Sequence, residues 1–73
     1  MPTKEEMIIQ KFAENVARIR ANKGLSLRQV AERCKLDHSK VSRIESAQVN
    51  VTLLTIIELA EGLGVQPKQL LDF

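Results

Sequence analysis

The chain has 73 residues, two of them aromatic, a single cysteine and a formal net charge of +2 at pH 7. This length suits one small domain, residues 1–73, and excludes two. The single cysteine excludes a disulfide framework, and no apolar run approaches the ~20 residues of a membrane span. Because the opening MPTKEEM lacks the hydrophobic core of a signal peptide, we expect a cytoplasmic protein.

Positive charge is concentrated in the middle of the sequence. Residues 18–43 carry eight basic and two acidic side chains, a net charge of +6, whereas residues 1–17 and 44–73 carry −1 and −3. A local excess of this size attracts a polyanion and releases its counterions on binding. Charge alone leaves two interpretations open: a nucleic-acid contact and a solvated helix surface.

Hydrophobic periodicity predicts five helices and no strand, an all-α fold. A long first helix begins at a capping box formed by Thr3 and Glu6 and ends at Gly24, which suits a left-handed stop. A second helix of two turns begins at Ser26, a natural N-cap. The inward-facing residues predicted for these two helices are Ile9, Phe12, Val16, Ile19, Leu27, Val30, Ala31 and Cys34.

Three shorter helices complete the predicted fold. Asp37 is the predicted cap of the third helix, Thr52 caps the fourth, which ends at Gly64, and Pro67 occupies the first position of the fifth. The inward-facing residues predicted for the third and fourth helices are Val41, Ile44, Leu53, Ile56, Leu59, Ala60 and Leu63.

Residues 27–46, LRQVAERCKLDHSKVSRIES, have the apolar spacing of two short helices that cross steeply at a tight turn. Together with ARIRANKGLS and NVTLLTIIELAEGLGV, they resemble the lambda-repressor-like helix-turn-helix family, also known as the Xre or Cro/C1 type. The short length and VNVTLL are most similar to restriction-modification controller proteins. The resemblance implies a compact five-helix bundle and a transcriptional regulator that binds a palindromic operator in double-stranded DNA as a homodimer.

The resemblance also implies a set of base-reading residues on the third helix, which would lie in the DNA major groove. At positions 38, 39, 40 and 43 these are His38, Ser39, Lys40 and Arg43, with Lys40 placed for either a base or a phosphate. Arg43 is expected to contribute most to specificity, because its planar guanidinium can bond both acceptors of a guanine. The alternative is that Lys40 and Arg43 only keep an exposed helix in solution.

Phosphate contacts are expected on both sides of that helix. Ser26, Arg28 and Gln29 lie at the start of the second helix, and Asn50 and Thr52 precede the fourth. For Ser26 and Thr52, helix capping alone would explain the residue.

The sequence departs from the family pattern at several positions. Leu27 stands where relatives often carry a glutamine that touches phosphate, and Lys35 replaces the frequent glycine of the turn. Ala47 and Gln48 stand where glycine and a basic residue are common, so we expect the third helix to run on past its usual end.

Glu45 lies at the edge of the inward stripe of a DNA-facing helix, where an unpaired carboxylate would be unfavourable. Arg20 matches the family's buried arginine opposite this glutamate. We therefore predict an Arg20–Glu45 ion pair that fixes the recognition helix.

A homodimer is predicted because each recognition helix covers only half an operator. Its surface is predicted at four apolar residues of the fourth and fifth helices that one inward-facing stripe does not require: Leu54, Ile57, Leu71 and Phe73. The alternative is that these residues complete the core of the monomer. A metal site is not expected, because the sequence has no second cysteine or histidine to complete it. Enzymatic activity is not expected, because there is no glycine-rich phosphate loop and no serine elbow. A cofactor is not expected either, because Trp and Tyr are absent and only two aromatic residues are present. A second function remains open, a protein-interaction module such as an antitoxin-like partner, which the basic stretch disfavours.

Overall fold

The computed structural model describes residues 1–73 as five α-helices without a strand. The helices are α1 (Lys4–Asn22), α2 (Leu27–Glu32), α3 (His38–Glu45), α4 (Leu53–Leu63) and α5 (Pro67–Leu70). The predicted all-α class is therefore confirmed. None of the five combines the length and the hydropathy that crossing a lipid bilayer requires.

Local side-chain caps begin the first four helices. Thr3 Oγ1 accepts a hydrogen bond from the Glu6 N–H at 3.1 Å, and the Thr3 N–H donates to Glu6 Oε1 at 2.8 Å. This second bond lowers the pKa of Glu6, because it stabilises the charged carboxylate. Ser26, Asp37 and Thr52 cap α2, α3 and α4 in the predicted positions.

One apolar core joins all five helices. α1 packs on α3 and α5, α2 packs on α3 and α4, and α4 packs on α5, so the helix-turn-helix formed by α2 and α3 is supported from both sides. The buried residues that form this core are Phe12, Val16, Val30, Val41, Ile44, Leu59, Ala60, Leu63 and Leu70.

The start of α4 differs from the predicted pattern. Leu53, expected in the core stripe, is 70% exposed, and the buried set of this helix begins at Thr55. Periodicity gives the side of a helix but not the point at which its packing partners begin. The prediction for Leu53 is therefore wrong.

The second half of α4 packs directly on α2. A Cβ atom on Gly62 would lie 2.7 Å from the Val30 carbonyl oxygen and 3.1 Å from the Cys34 sulfur, so only glycine fits this contact. Because α2 already ends at Glu32, Cys34 lies in the connector and is only half-buried, with its thiol 3.3 Å from the Val30 oxygen. Cys34 therefore faces inward as predicted, at the contact of α2 with α4, but it is not fully buried.

A buried amide attaches α5 to α1. Asn15 is almost fully buried, and its Nδ2 donates to the carbonyl oxygens of Gln69 and Leu70 at 2.9 and 3.0 Å. Its Oδ1 accepts a hydrogen bond from Arg18, so every polar atom of the side chain is satisfied. This contact places Leu70 in the core and the residues after it on the surface.

Three helices end with a left-handed residue and the hydrogen bonds that close a helix C-terminus. Gly24 has φ 67° and Gly64 has φ 73°, a conformation that glycine adopts freely. Ala47 has φ 60°, and its N–H donates to the Ile44 oxygen at 3.1 Å. Since this closure forms without glycine, α3 stops at Glu45, and the prediction that it runs on is wrong.

Ala47→Gly is expected to raise the free energy of unfolding by about 0.5–1 kcal/mol. The left-handed conformation costs an L-residue roughly 1–2 kcal/mol, and part of the gain is offset by the greater freedom of glycine in the unfolded chain. Urea unfolding followed by circular dichroism measures the change. Ala17→Gly, inside α1, is the matched control and should lower the same quantity by about 1 kcal/mol. If Ala47→Gly lowered the free energy of unfolding as much as Ala17→Gly does, the backbone strain inferred at Ala47 would be contradicted.

Candidate nucleic-acid interface

The solvent-facing side of α3 forms a polar concavity. Val41 and Ile44 are buried on the opposite side and hold the helix on the core. Of the predicted base-reading residues, His38, Ser39 and Arg43 come together in this concavity, all three exposed. Its full lining contains no apolar residue: His38, Ser39, Ser42, Arg43, Ser46 and Gln48.

Lys40 lies apart from the other predicted base-reading residues. It does not line the concavity, and it is half-buried. Its backbone N–H donates to Asp37 Oδ1 at 2.7 Å, the hydrogen bond that caps α3. The structure therefore does not bring Lys40 together with His38, Ser39 and Arg43.

At the start of α2, the predicted phosphate-contacting residues Ser26, Arg28 and Gln29 are all exposed. Ser26 Oγ accepts from the Gln29 N–H at 3.1 Å, and the Ser26 N–H donates to Gln29 Oε1 at 2.8 Å. The Gln29 amide NH₂ group takes no part in this cap, and the Arg28 guanidinium makes no hydrogen bond or salt bridge within the chain. These two side chains are the donors available to a phosphate.

The two residues predicted to contact phosphate ahead of α4 have different surroundings. Thr52 Oγ1 accepts from the Thr55 N–H at 3.2 Å and shares a second hydrogen bond with Thr55 Oγ1 at 3.0 Å, so it is held as a cap. Asn50 is exposed but lines an apolar groove instead of the α3 concavity. The structure does not bring Asn50 together with the base-reading residues.

Arg20 connects three segments of the chain. Its Nε and Nη2 donate to the two carboxylate oxygens of Glu45 at 2.6 and 2.9 Å, and its Nη1 donates to the Leu25 carbonyl oxygen at 2.8 Å. The Arg20 and Glu45 side chains are 22% and 11% exposed. The hydrogen bond to Glu45 raises the pKa of Arg20. The ion pair therefore joins α1, the loop before α2 and the last residue of α3.

The apolar groove lies between α1, the loop before α4 and the last residues of the chain. Leu71 and Phe73, two of the predicted dimer residues, line it and are 54% and 51% exposed. Leu54 and Ile57 are also exposed but lie outside it. The alternative that these four complete the monomer core is therefore wrong. The groove holds about 160 Å³ and is lined by Ile8, Ile9, Phe12, Val49, Asn50, Val51, Ile56, Leu71 and Phe73.

A family model described as a helix-turn-helix domain matches residues 11–73, most of the chain. The chain belongs to the helix-turn-helix domain family. The control protein C.BamHI of Bacillus amyloliquefaciens is 41% identical to it over 63 residues, which cover 85% of this chain and 78% of that protein. The predicted resemblance to Xre-type helix-turn-helix proteins, and to controller proteins among them, is confirmed.

Solved structures of controller proteins have the same fold as this helix-turn-helix protein. The restriction-modification controller protein C.AhdI from Aeromonas hydrophila superposes with a TM-score of 0.80 and 37% identity, covering 85% of this chain and 94% of that one. The C.Esp1396I tetramer, in complex with its natural 35 base-pair operator, gives a TM-score of 0.78 and 25% identity, covering 89% of this chain and 96% of that one.

Three residues of the α3 concavity, Ser42, Ser46 and Gln48, are not among the site residues that the sequence predicts. Ser42 and Ser46 follow Ser39 at helical spacing, which was a usable signal, and Ser46 Oγ donates to the Ser42 carbonyl oxygen at 2.9 Å. Gln48 reaches the concavity only because the chain turns at Ala47. Helical periodicity stops before that turn and gives no signal for Gln48.

Proposed function

We propose that this helix-turn-helix protein is a cytoplasmic, sequence-specific transcriptional regulator that binds a palindromic operator in double-stranded DNA as a homodimer. The observation that carries the proposal is the polar concavity of α3, which is backed by the buried Val41 and Ile44 and lies at the end of the basic stretch, residues 18–43, of net charge +6. An exposed helix held rigidly from behind is the element that enters a major groove.

Each side chain of the site has a role that follows from its chemistry. Arg43 offers a planar pair of donors to a guanine, worth about 1–3 kcal/mol of discrimination, while His38 and Ser39 offer shorter, less selective contacts.

Arg28 and Gln29 donate to phosphates on one side, and Lys40 neutralises another phosphate. We propose a phosphate contact for Ser26, Asn50 and Thr52 as well, as secondary to those from the longer side chains.

The homodimer is proposed from the exposed apolar residues of α4 and the end of the chain. One recognition helix reads half an operator, and a two-fold dimer presents two. Leu54, Ile57, Leu71 and Phe73 supply apolar surface that the core does not use. An operator-bound tetramer of the similar C.Esp1396I supports assembly of more than one copy on DNA.

A second candidate function is a protein-interaction module, which the apolar groove favours. A groove of about 160 Å³ is smaller than the roughly 300–1,000 Å³ of small-molecule sites, so its occupant would be a protein side chain. The positive charge of residues 18–43 has no use in such a module, and we therefore place it second.

Selection of randomised duplex DNA by the purified protein tests the proposal. At about 0.15 M salt, where exposed charges are largely screened, we expect enrichment of an inverted repeat with half-sites about one helical turn apart. Arg43→Ala is the informative variant, expected to bind with about 10- to 100-fold less discrimination at a guanine of each half-site. Lys68→Ala, which removes the same charge outside the basic stretch, is the control. A pool without any enriched sequence would contradict the proposal and favour the protein-interaction module.

A further inference from the structure

The connector between α2 and α3 is held by a side chain of α4. The backbone N–H of Lys35 donates to Glu58 Oε1 at 2.9 Å, and Glu58 is half-buried. Lys35 replaces the glycine frequent in such turns, yet it has no left-handed backbone conformation, so the turn does not depend on glycine. The geometry of the turn is instead tied to a helix outside the helix-turn-helix.

Glu58 acts next to a second close contact between the same elements. Glu58 and Gly62 are four residues apart and lie on the same face of α4. Gly62 brings α4 against the carbonyl of Val30 in α2, and Glu58 reaches the connector that follows α2. One face of α4 therefore contacts both α2 and the start of the turn into α3.

We infer that Glu58 is a positioning residue that sets the orientation of α3 relative to α2 and thereby controls DNA affinity without touching DNA. The inference rests on the proposed function. Phosphate donors on α2, such as Arg28, and base-reading groups on α3, such as Arg43, bind together only if the angle between the two helices matches the duplex. If the connector changes its geometry, the base-reading groups of α3 are misaligned when the phosphate donors of α2 are bound.

The negative charge of Glu58 by itself weakens DNA binding, so any favourable effect of this residue on affinity must come from its hydrogen bond. A carboxylate close to the basic stretch repels phosphate, so its removal by itself would strengthen binding. The hydrogen bond to Lys35 acts in the opposite direction, because it fixes the connector. The two contributions can be separated, since glutamine keeps the acceptor oxygen and removes the charge.

Three variants test the inference: Glu58→Ala, Glu58→Gln and the control Glu61→Ala. Glu61 has the same charge on the same helix, is exposed and makes no side-chain hydrogen bond. Affinity for the selected operator is measured well below the unfolding midpoint of each variant. We expect Glu58→Ala to bind about tenfold more weakly than Glu61→Ala, and Glu58→Gln to stay within about threefold of the unmodified protein.

Amide hydrogen exchange at Lys35 supplies a readout that does not need DNA. We expect faster exchange in Glu58→Ala and retained protection in Glu58→Gln. Equal operator affinity of Glu58→Ala and Glu61→Ala, or unchanged Lys35 exchange in Glu58→Ala, would overturn the inference. If the unmodified protein selects no DNA sequence, the proposed function fails, and Lys35 exchange still decides whether Glu58 holds the connector.

Discussion

Replacing Arg20 by alanine is expected to lower the free energy of unfolding by about 3 kcal/mol. The variant leaves the Glu45 carboxylate, only 11% exposed, without its cation and removes the donor to the Leu25 carbonyl. Breaking a buried pair costs about 3–5 kcal/mol, and the partial exposure of Arg20 places this pair at the lower end. The thermal midpoint should fall by roughly 4–8 °C for each kcal/mol in a chain of this size. Thermal and urea unfolding at one fixed protein concentration measure both changes.

Two further variants separate the two causes of this destabilisation: the unpaired Glu45 carboxylate and the lost packing of the Arg20 side chain. Arg20→Lys keeps the charge but lacks the planar guanidinium that bonds both carboxylate oxygens. Its free energy of unfolding should therefore lie between those of Arg20→Ala and the unmodified protein. Arg20→Met combined with Glu45→Leu removes both charges and should recover most of the stability. A loss in Arg20→Ala below about 1 kcal/mol would place the pair among ordinary surface contacts and contradict this account.

The effect of pH on this pair has a definite sign. The pKa of Arg20 is raised in the folded protein by its hydrogen bond to Glu45. A group of this kind stabilises the fold fully below its unfolded pKa, and the contribution is lost only as pH rises through the folded value. For an arginine that window lies far above neutrality. The destabilisation caused by Arg20→Ala should therefore be the same at about pH 7 and about pH 9.

The parts of the fold that could be predicted are those set by local chemistry. The caps at Thr3, Ser26, Asp37 and Thr52 depend on residues three positions apart, and each was evident in the sequence. The buried face of α3 followed from periodicity alone. The pairing of distant residues, such as Arg20 with Glu45, came from the family resemblance, because spacing says nothing about which helices meet.

The wrong prediction for Leu53 and the missed contacts of Asn15 and Glu58 arise because tertiary contacts depend on which distant elements pack together. Leu53 shares a helix side with the core but lies before the packing begins. Asn15 and Glu58 bond to backbone atoms 54 and 23 residues away, and nothing in the sequence around them indicates these partners. The prediction that α3 runs on past Ala47 has a different cause: it rests on residue preference, which the closing hydrogen bonds of α3 outweigh.

The exposed apolar residues at the end of the chain, Leu71 and Phe73, are expected to hold the homodimer together. Leu71→Asp combined with Phe73→Asp is expected to make the protein monomeric in sedimentation velocity. Both side chains are about half exposed, so aspartate can be solvated in the monomer, while the neighbouring Leu70 still anchors α5 in the core. In a dimer the new carboxylates would be buried without a cation, which is strongly unfavourable. Loss of the second half-site contact should weaken operator binding by about 100-fold or more.

Met7→Asp provides the matched control, because Met7 is 47% exposed on α1 and does not line the groove. It should leave both the sedimentation coefficient and operator affinity unchanged. If the double variant stays dimeric, the interface lies elsewhere, and Leu54→Asp with Ile57→Asp tests the remaining exposed surface on α4. If it becomes monomeric yet binds the inverted repeat as tightly as before, the two half-sites are not read by one dimer. That combination would contradict the homodimer as the DNA-binding form and leave the base-reading role of α3 intact.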